Sequence, residues 1–361
     1  MKARLRFVFI AAFAASSSGW ATLGAWSTMR IDKVAKPLDR DLAIKVLTVA
    51  TFEIGEMTGD APGEAQFWYE RERYSARYYI PGAFSPLYCT DNGNCLIVSG
   101  MSTANAAATM MAIGLHPHLK MQKTYILEAG IAGGDPGEVT LGSAAWASWV
   151  VGSDDRHHID RSELPKTWKF TDFRLGCTKP WCENGWASGN EVFRLNDKLA
   201  KQALKLSESV ALKDDAASAD YRKHFRAGTP ARRPPFVSRC DVLSGGEYYN
   251  GHTMSDWAKF WVKKWTGGQG HYCTTAMDDA GFMAAISRLA SAKLVDPNRV
   301  MVLRTVSDFD QAFPGQSTLE SMRNTTVGIP IALENAYRVG SAVTHQILIK
   351  WSDWENGIPG E

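Results

Sequence analysis

No stretch of this 361-residue chain is apolar for long enough to cross a bilayer as a helix, which takes roughly 20 residues. The most apolar segments are interrupted by Glu128, Asp135 and Glu138 or by other polar residues. A chain without a spanning helix cannot form a helical channel by itself. An excess of one charge is missing too: 40 Lys and Arg stand against 38 Asp and Glu. That balance leaves no basic excess to suggest nucleic-acid binding. Cysteine is scarce, with six in all, and none stands in the CxxC or Cys/His spacing of a zinc site.

What is present begins with an export signature. Lys2, Arg4 and Arg6 give a basic start, Phe7 to Ala15 form a short apolar core, and small residues at Gly19 and Ala21 suit a cleavage site. Loss of residues 1–21 would move the formal charge from +2 to −1. The alternative is an uncleaved anchor. Export puts the chain in a periplasm or outside the cell, where an even number of cysteines reads as disulfides. Cys89 and Cys95 flank one short turn, Cys177 and Cys182 another, and Cys240 and Cys273 remain. Six cysteines allow 15 pairings, so this connectivity is one among several.

After a linker over 22–42, short β-branched apolar runs predict strands at 43–50, 96–99, 124–129, 143–151 and 299–306. Helical patterns lie between them, at 104–114, 278–289 and 333–351. Alternation of this kind predicts a mainly parallel sheet with helices on both faces, an α/β fold whose ligands sit at the carboxyl ends of strands. The polar stretch from about 160 to 235 reads as an insertion over one sheet edge.

The residues of chemical interest fall at those strand ends. Ser102, Thr103 and Asn105, in Gly100-Met-Ser-Thr-Ala-Asn-Ala106, can cradle an anion or a sugar hydroxyl on free N–H groups. The same pattern also serves a plain helix cap. Gly130, Gly133 and Gly134 predict a turn that lets backbone approach a ligand closely. Asp278 and Asp308 are carboxylates where a raised-pKa acid could stand, or ordinary caps and ion-pair partners. His157-His158, just after the fourth strand, could touch a substrate or play a structural or solvated role, and His116 and His118, flanking Pro117, have the character of surface loop residues.

Taken together and in this order, the segments resemble the nucleoside phosphorylase superfamily across about residues 43–350. Within it they are similar to the purine nucleoside permease family, with its GMSTANAA-like and AGIAG segments and its RTxSDFD strand end. The segments Ser244 to Tyr249 and Trp261 to Gly268 fit the same family. The resemblance implies a nucleoside-phosphorylase-like fold, with a mixed, mainly parallel central sheet, and a purine nucleoside as ligand. It implies that Asp308 hydrogen-bonds or protonates purine N7, that Asp278 holds the ribose hydroxyls, and that Met277 lies on the sugar face. Tyr248 would stack on the base, with Phe309 nearby. No cofactor or metal is implied; relatives assemble in several ways, which leaves a homo-oligomer open.

Departures from the superfamily are as informative. Its phosphorylases bind phosphate with an Arg before the glycine segment and a Ser inside it, positions that here hold Glu128 and Ile131. Neither can neutralise a phosphate dianion. Related nucleosidases use water instead, held by a carboxylate after the first strand. Glu53, Glu56 and Glu64 are candidates, and Glu64, in Glu64-Ala-Gln-Phe-Trp68, best matches the family's E-A-x-x-W pattern. The resulting expectation is an exported purine nucleosidase with Asp308 as acid and Glu64 as base, in a cleft without a cation. The alternative is a nucleoside-binding component of an uptake system without catalysis.

Overall fold

The computed structural model describes residues 35–359, so the segment read as an export signal lies outside the described residues. The apolar run after Leu42 forms β1 (Val46–Ala50), buried throughout. It is followed by α1 (Gln66–Glu72), β2 (Asn94–Val98) and α2 (Thr103–Gly114). Next come β3 (Tyr125–Gly134), β4 (Ala144–Trp146) and β5 (Trp149–Gly152). The second half holds α3 (Asp197–Ser207), β6 (Asp241–Ser244), α4 (His252–Trp265), β7 (Tyr272–Ala276) and α5 (Asp279–Ser291). It ends with β8 (Val300–Phe309) and α6 (Ile329–Ile349).

These strands form one mixed, mainly parallel sheet. β1 pairs in parallel with β2 and β3, β3 with β8, and β6 with β5 and β7. Two contacts run the other way: β7 against the end of β3, and β4 against β8. Strand side chains alternate faces, and the alternation sorts the core into two layers. Leu47, Val49, Ile97, Val300 and Val302 pack under Met110 and Ile113 of α2 and Phe282 and Ile286 of α5. Val46, Leu96, Leu127, Met301 and Leu303 face Trp68 and the Val339–Val343 side of α6.

Three expectations change. The glycine cluster is no turn: Gly130 to Gly134 continue β3 without a positive φ, because β8 pairs with it along its whole length. Residues 143–151 are two strands, not one. The carboxylate of Asp241 accepts the N–H groups of Ser148 (2.9 Å) and Trp149 (2.8 Å) and so takes donors that a continuous ladder would use. β8 does not break at Ser307 but runs on to Phe309, with a bulge between Val306 and Asp308.

Disulfides join Cys89 to Cys95, Cys177 to Cys182 and Cys240 to Cys273. The first crosses a directly paired antiparallel position and the last ties the starts of β6 and β7 together. From the 160–235 stretch, Val192–Arg194 adds an antiparallel strand beside β5. Among the described residues, no helix is long and apolar enough to cross a membrane.

Candidate active site

β3 organises the site. β8 runs beside it with Arg304 opposite Gly130 and, past the bulge, Asp308 opposite Gly133. Bulges re-aim side chains in this way beside many active sites. On the other edge β7 is antiparallel, with Thr274 opposite Gly134 and Thr275 opposite Gly133. The chain leaving β7 therefore runs back toward Gly130 and sets Asp278 and Asp279 beside Arg304.

At that end lies the feature the sequence reading excluded. Arg304, 1% exposed, stands beside the glycine segment, so the expectation of a cleft without a cation is overturned. Its Nε donates to Asp279 Oδ1 at 2.8 Å. Its Nη2 is 3.3 Å from Glu128 Oε1 and 3.5 Å from Asp278 Oδ2, and its Nη1 is 4.0 Å from Glu64 Oε1. Burial works against the guanidinium, but these four carboxylates more than offset it and hold it charged. Position 130 must be glycine because a Cβ there would collide with Arg304 Nη1 and Glu64 Oε1. The signal for this cluster was in view: a lone arginine inside Val300-Met-Val-Leu-Arg-Thr-Val306 must be paired when buried.

Of the three candidate glutamates, Glu64 is the one that reaches this cluster. Its Oε2 accepts from the N–H (2.7 Å) and hydroxyl (2.8 Å) of Thr51, and its Oε1 from Ile131 N–H (2.6 Å). Burial raises its pKa, and Arg304 with the N–H donors opposes the rise. Glu53 instead braces its own loop, accepting from Ile54 and Gly63 N–H, and burial pushes it up to about 7. Glu56 is exposed. Asp278 is also pushed up to about 7 by burial, with Arg304 pulling it down. One of its oxygens accepts the Ser102 N–H. Ser102 sits at φ +80°, a left-handed conformation that non-glycine residues rarely hold and that clusters at functional sites.

Asp308 occupies the other end. Tyr248 OH donates to its Oδ2 at 2.6 Å and Ser307 OH to its Oδ1 at 2.7 Å. Burial raises its pKa. Gly133, Met277, Tyr248, Tyr249 and Asp310 line the space before it, a volume of about 20 Å³. That is room for about one water. Asp310, which the sequence reading did not single out, accepts from Tyr272 OH at 2.6 Å and is pushed up to about 7 by burial and by Asp135.

The rim is closed by side-chain ties between loops. Asp154 accepts from Thr103 OH (2.9 Å) and Gly246 N–H (2.7 Å) and joins the ends of β5, β2 and β6. Asn105 donates to Met101 O at 2.8 Å and serves the turn. Phe309 does not join the cleft: it is buried against Phe225 (4.4 Å between ring centroids) and Tyr221 (6.4 Å), because it alternates away from Asp308. His157 and His158 pair with Asp172–Phe173 and are exposed. Among the described residues, no group of three or more His, Cys, Asp or Glu could hold a metal ion.

Known proteins share this architecture. The methylthioadenosine/S-adenosylhomocysteine nucleosidase of Neisseria meningitidis, solved with methylthio-immucillin-A, superposes with a TM-score of 0.50 at 14% identity, covering 84% of this chain and 99% of that one. The futalosine hydrolase of Helicobacter pylori superposes with a TM-score of 0.52 at 11% identity, covering 84% and 98%. In sequence, a probable purine nucleoside permease of Schizosaccharomyces pombe is 32% identical over 285 residues, covering 75% of this chain and 80% of the relative. A purine nucleoside permease of Candida albicans is 32% identical over 301 residues, covering 80% and 74%. The sequence profile of the purine nucleoside permease family matches residues 43–359, and the chain belongs to that family.

Proposed function

We propose that this protein is an exported purine nucleosidase that hydrolyses the N-ribosidic bond. The reading is carried by two buried carboxyls in contrasting surroundings along the same stretch of β3, Asp308 opposite Gly133 and Glu64 bonded to the Ile131 N–H. Hydroxyls, which can donate or accept, surround Asp308. A protonated acid keeps good partners there. Glu64 accepts two backbone N–H groups, which cannot accept in return, and faces Arg304. Those partners favour the carboxylate. Burial raises both acids, and the difference in their partners favours the split that acid–base hydrolysis needs, one acid neutral and one ionised.

In this scheme the Asp308 proton goes to N7 as the C1′–N bond lengthens, and the purine leaves as a neutral base. Asp278 holds the ribose hydroxyls, with Met277 against the sugar. Water between Glu64 and Arg304 attacks C1′ and gives its proton to Glu64. Phosphorolysis is disfavoured because Arg304 is already engaged by carboxylates. Three disulfides fit export to an oxidising compartment.

The second reading, nucleoside capture for uptake without catalysis, is favoured by the naming of the curated relatives and by Tyr248 bonded to Asp308. Purified protein incubated with inosine or adenosine, with and without phosphate, separates the two. Base release without phosphate supports the nucleosidase. Saturable binding with no release supports capture, and overturns the catalytic reading.

A further inference from the structure

Asp310 has no part in that scheme, yet it lines the same small space as Asp308, Tyr248 and Met277 and is 1% exposed. Its N–H donates to Gly134 O at 2.9 Å, which carries the pairing of β8 with β3 one residue further. Side chains alternate along a strand. Phe309 turns away into the aromatic cluster with Phe225, so Asp308 and Asp310 share the side that faces the cleft.

The two oxygens of Asp310 are unequal. Oδ2 accepts from Tyr272 OH at 2.6 Å, and Tyr249 OH lies 2.7 Å from that hydroxyl in turn. Oδ1 is buried without a hydrogen-bond partner among the described residues. A polar atom left so at this depth is costly, and in the wall of a cavity it points to a ligand that completes it. The Tyr272 and Ser255 hydroxyls and Lys259 favour the charged form, but burial and the nearby Asp135 outweigh them and favour the neutral acid. A neutral carboxyl has one O–H to give. With Oδ2 taken by Tyr272, that proton stands on Oδ1.

A purine carries N7 and its six-position substituent on one edge. In a 6-oxopurine both are acceptors, whereas in adenine the second is an amino donor. Two acid O–H groups side by side match the first pattern. An adenine amino group would meet the second O–H donor to donor and leave it unpaired. A site built to hydrogen-bond a substrate rejects such an analogue strongly.

We propose that Asp310 is a specificity-determining residue that donates to O6 of the base and selects 6-oxopurine nucleosides, of the inosine type, over adenosine. The proposal rests on the reading above in which Asp308 meets N7, and on Tyr248 moving aside to admit the base. It does not depend on whether the bound nucleoside is then cleaved.

The test compares inosine with adenosine on the whole chain. The ratio read is that of kcat/KM for base release where the chain cleaves, and that of Kd from calorimetry where it only binds. The wild type is expected to favour inosine about tenfold or more, a difference of about 1.4 kcal/mol. Asp310→Asn should keep the preference, because Tyr272 can hold the amide oxygen and the NH2 group then donates in place of the acid. Asp310→Ala and Asp310→Leu have nothing to donate and should bring the ratio within about threefold of unity, mainly by weakening inosine. A residue that only buttressed Tyr272 would change stability in these variants and leave the ratio where it was. A wild type without preference, or one that favours adenosine, overturns the proposal. So does a ratio that the Ala and Leu variants leave unchanged, or failure of both to fold, because Asp310 would then be a structural partner of Tyr272. Inosine-selective binding with no base released refutes the nucleosidase reading and leaves this one standing. Release of both bases with equal efficiency does the reverse, and a chain that neither binds nor cleaves either nucleoside overturns both.

Discussion

The hydroxyl of Tyr248 donates to Asp308 Oδ2 at 2.6 Å, so the residue expected to stack on a purine instead covers the acid expected to serve it. The ring is half exposed and the space behind it holds about 20 Å³, too little for a base. Nucleoside binding therefore requires Tyr248 to swing away and give up that hydrogen bond. A hydrogen bond to a charged group is worth about 1.5–3 kcal/mol, less for a neutral one. Tyr248→Phe keeps the ring and removes this cost, so it should bind inosine about as tightly as the wild type or several-fold more tightly in calorimetry. Tyr248→Ala should bind more weakly. Weaker binding by Phe than by Ala would mean that the hydroxyl itself contacts the ligand.

Asp308→Asn and Glu64→Gln are each expected to lower base release by about 10²–10⁴-fold, the usual share of general acid–base help. Inosine binding should survive in both, because neither change touches Asp278, the residue proposed to hold the ribose. Rates from single-turnover mixing and affinities from calorimetry check the pair. A release rate within a few-fold of wild type in either variant would remove that residue from the mechanism.

Glu53→Ala gives the contrast. Glu53 holds the Ile54 and Gly63 N–H groups rather than the cleft. Its loss should cost about 1–3 kcal/mol of stability by leaving buried donors unpaired. Urea titration should show this as a lower midpoint.

The buried acids also set a pH dependence. Asp310 is raised from 3.8 to about 7, with Tyr272 bonded to it and Asp135 and Lys259 close by. A carboxyl raised on folding favours the folded state while protonated. That contribution is complete below the unfolded value and is lost as pH rises through the folded value. Asp310→Asn should therefore gain melting temperature relative to wild type as pH is taken from 4 to 7.5. A difference that stays constant, or falls, across that range would show that Asp310 is ionised throughout.

Cross-links of different reach should differ in worth. Cys240 and Cys273 are 33 residues apart and Cys89 and Cys95 only 6. In the chain-entropy view these closures contribute about 4 and about 2 kcal/mol. Replacing Cys240 and Cys273 by Ser should lower the melting temperature more than replacing Cys89 and Cys95.

Much of this was legible in the sequence, because it depends on local pattern. Short β-branched apolar runs marked β1, β2 and most of β8, and the choice of Glu64 among three glutamates rested on its match to the E-A-x-x-W pattern of the family the chain resembles. What escaped depends on which strands become neighbours. Nothing local says that residue 304 will lie opposite residue 130, so Arg304 went unseen as the hub of the cluster. The glycines suggested a turn through their freedom of φ, yet Gly130 is there for lack of a side chain. Phe309 was placed by its nearness to Asp308 in the chain, whereas strand alternation turned it into the aromatic cluster with Phe225.

The pairing of β3 with β7 and β8 makes one stretch of backbone the ruler of the site. Arg304 is fixed opposite Gly130 and Asp308 opposite Gly133, three residues and roughly 10 Å apart. That interval is the scale of a nucleoside, and main-chain hydrogen bonds set it. Exchanging Ala132 for another small residue would leave the gauge unchanged. Adding or deleting one residue between the two glycines would alter it by roughly 3.3 Å and turn every later side chain to the other face. This short segment can therefore change in composition, but not in length.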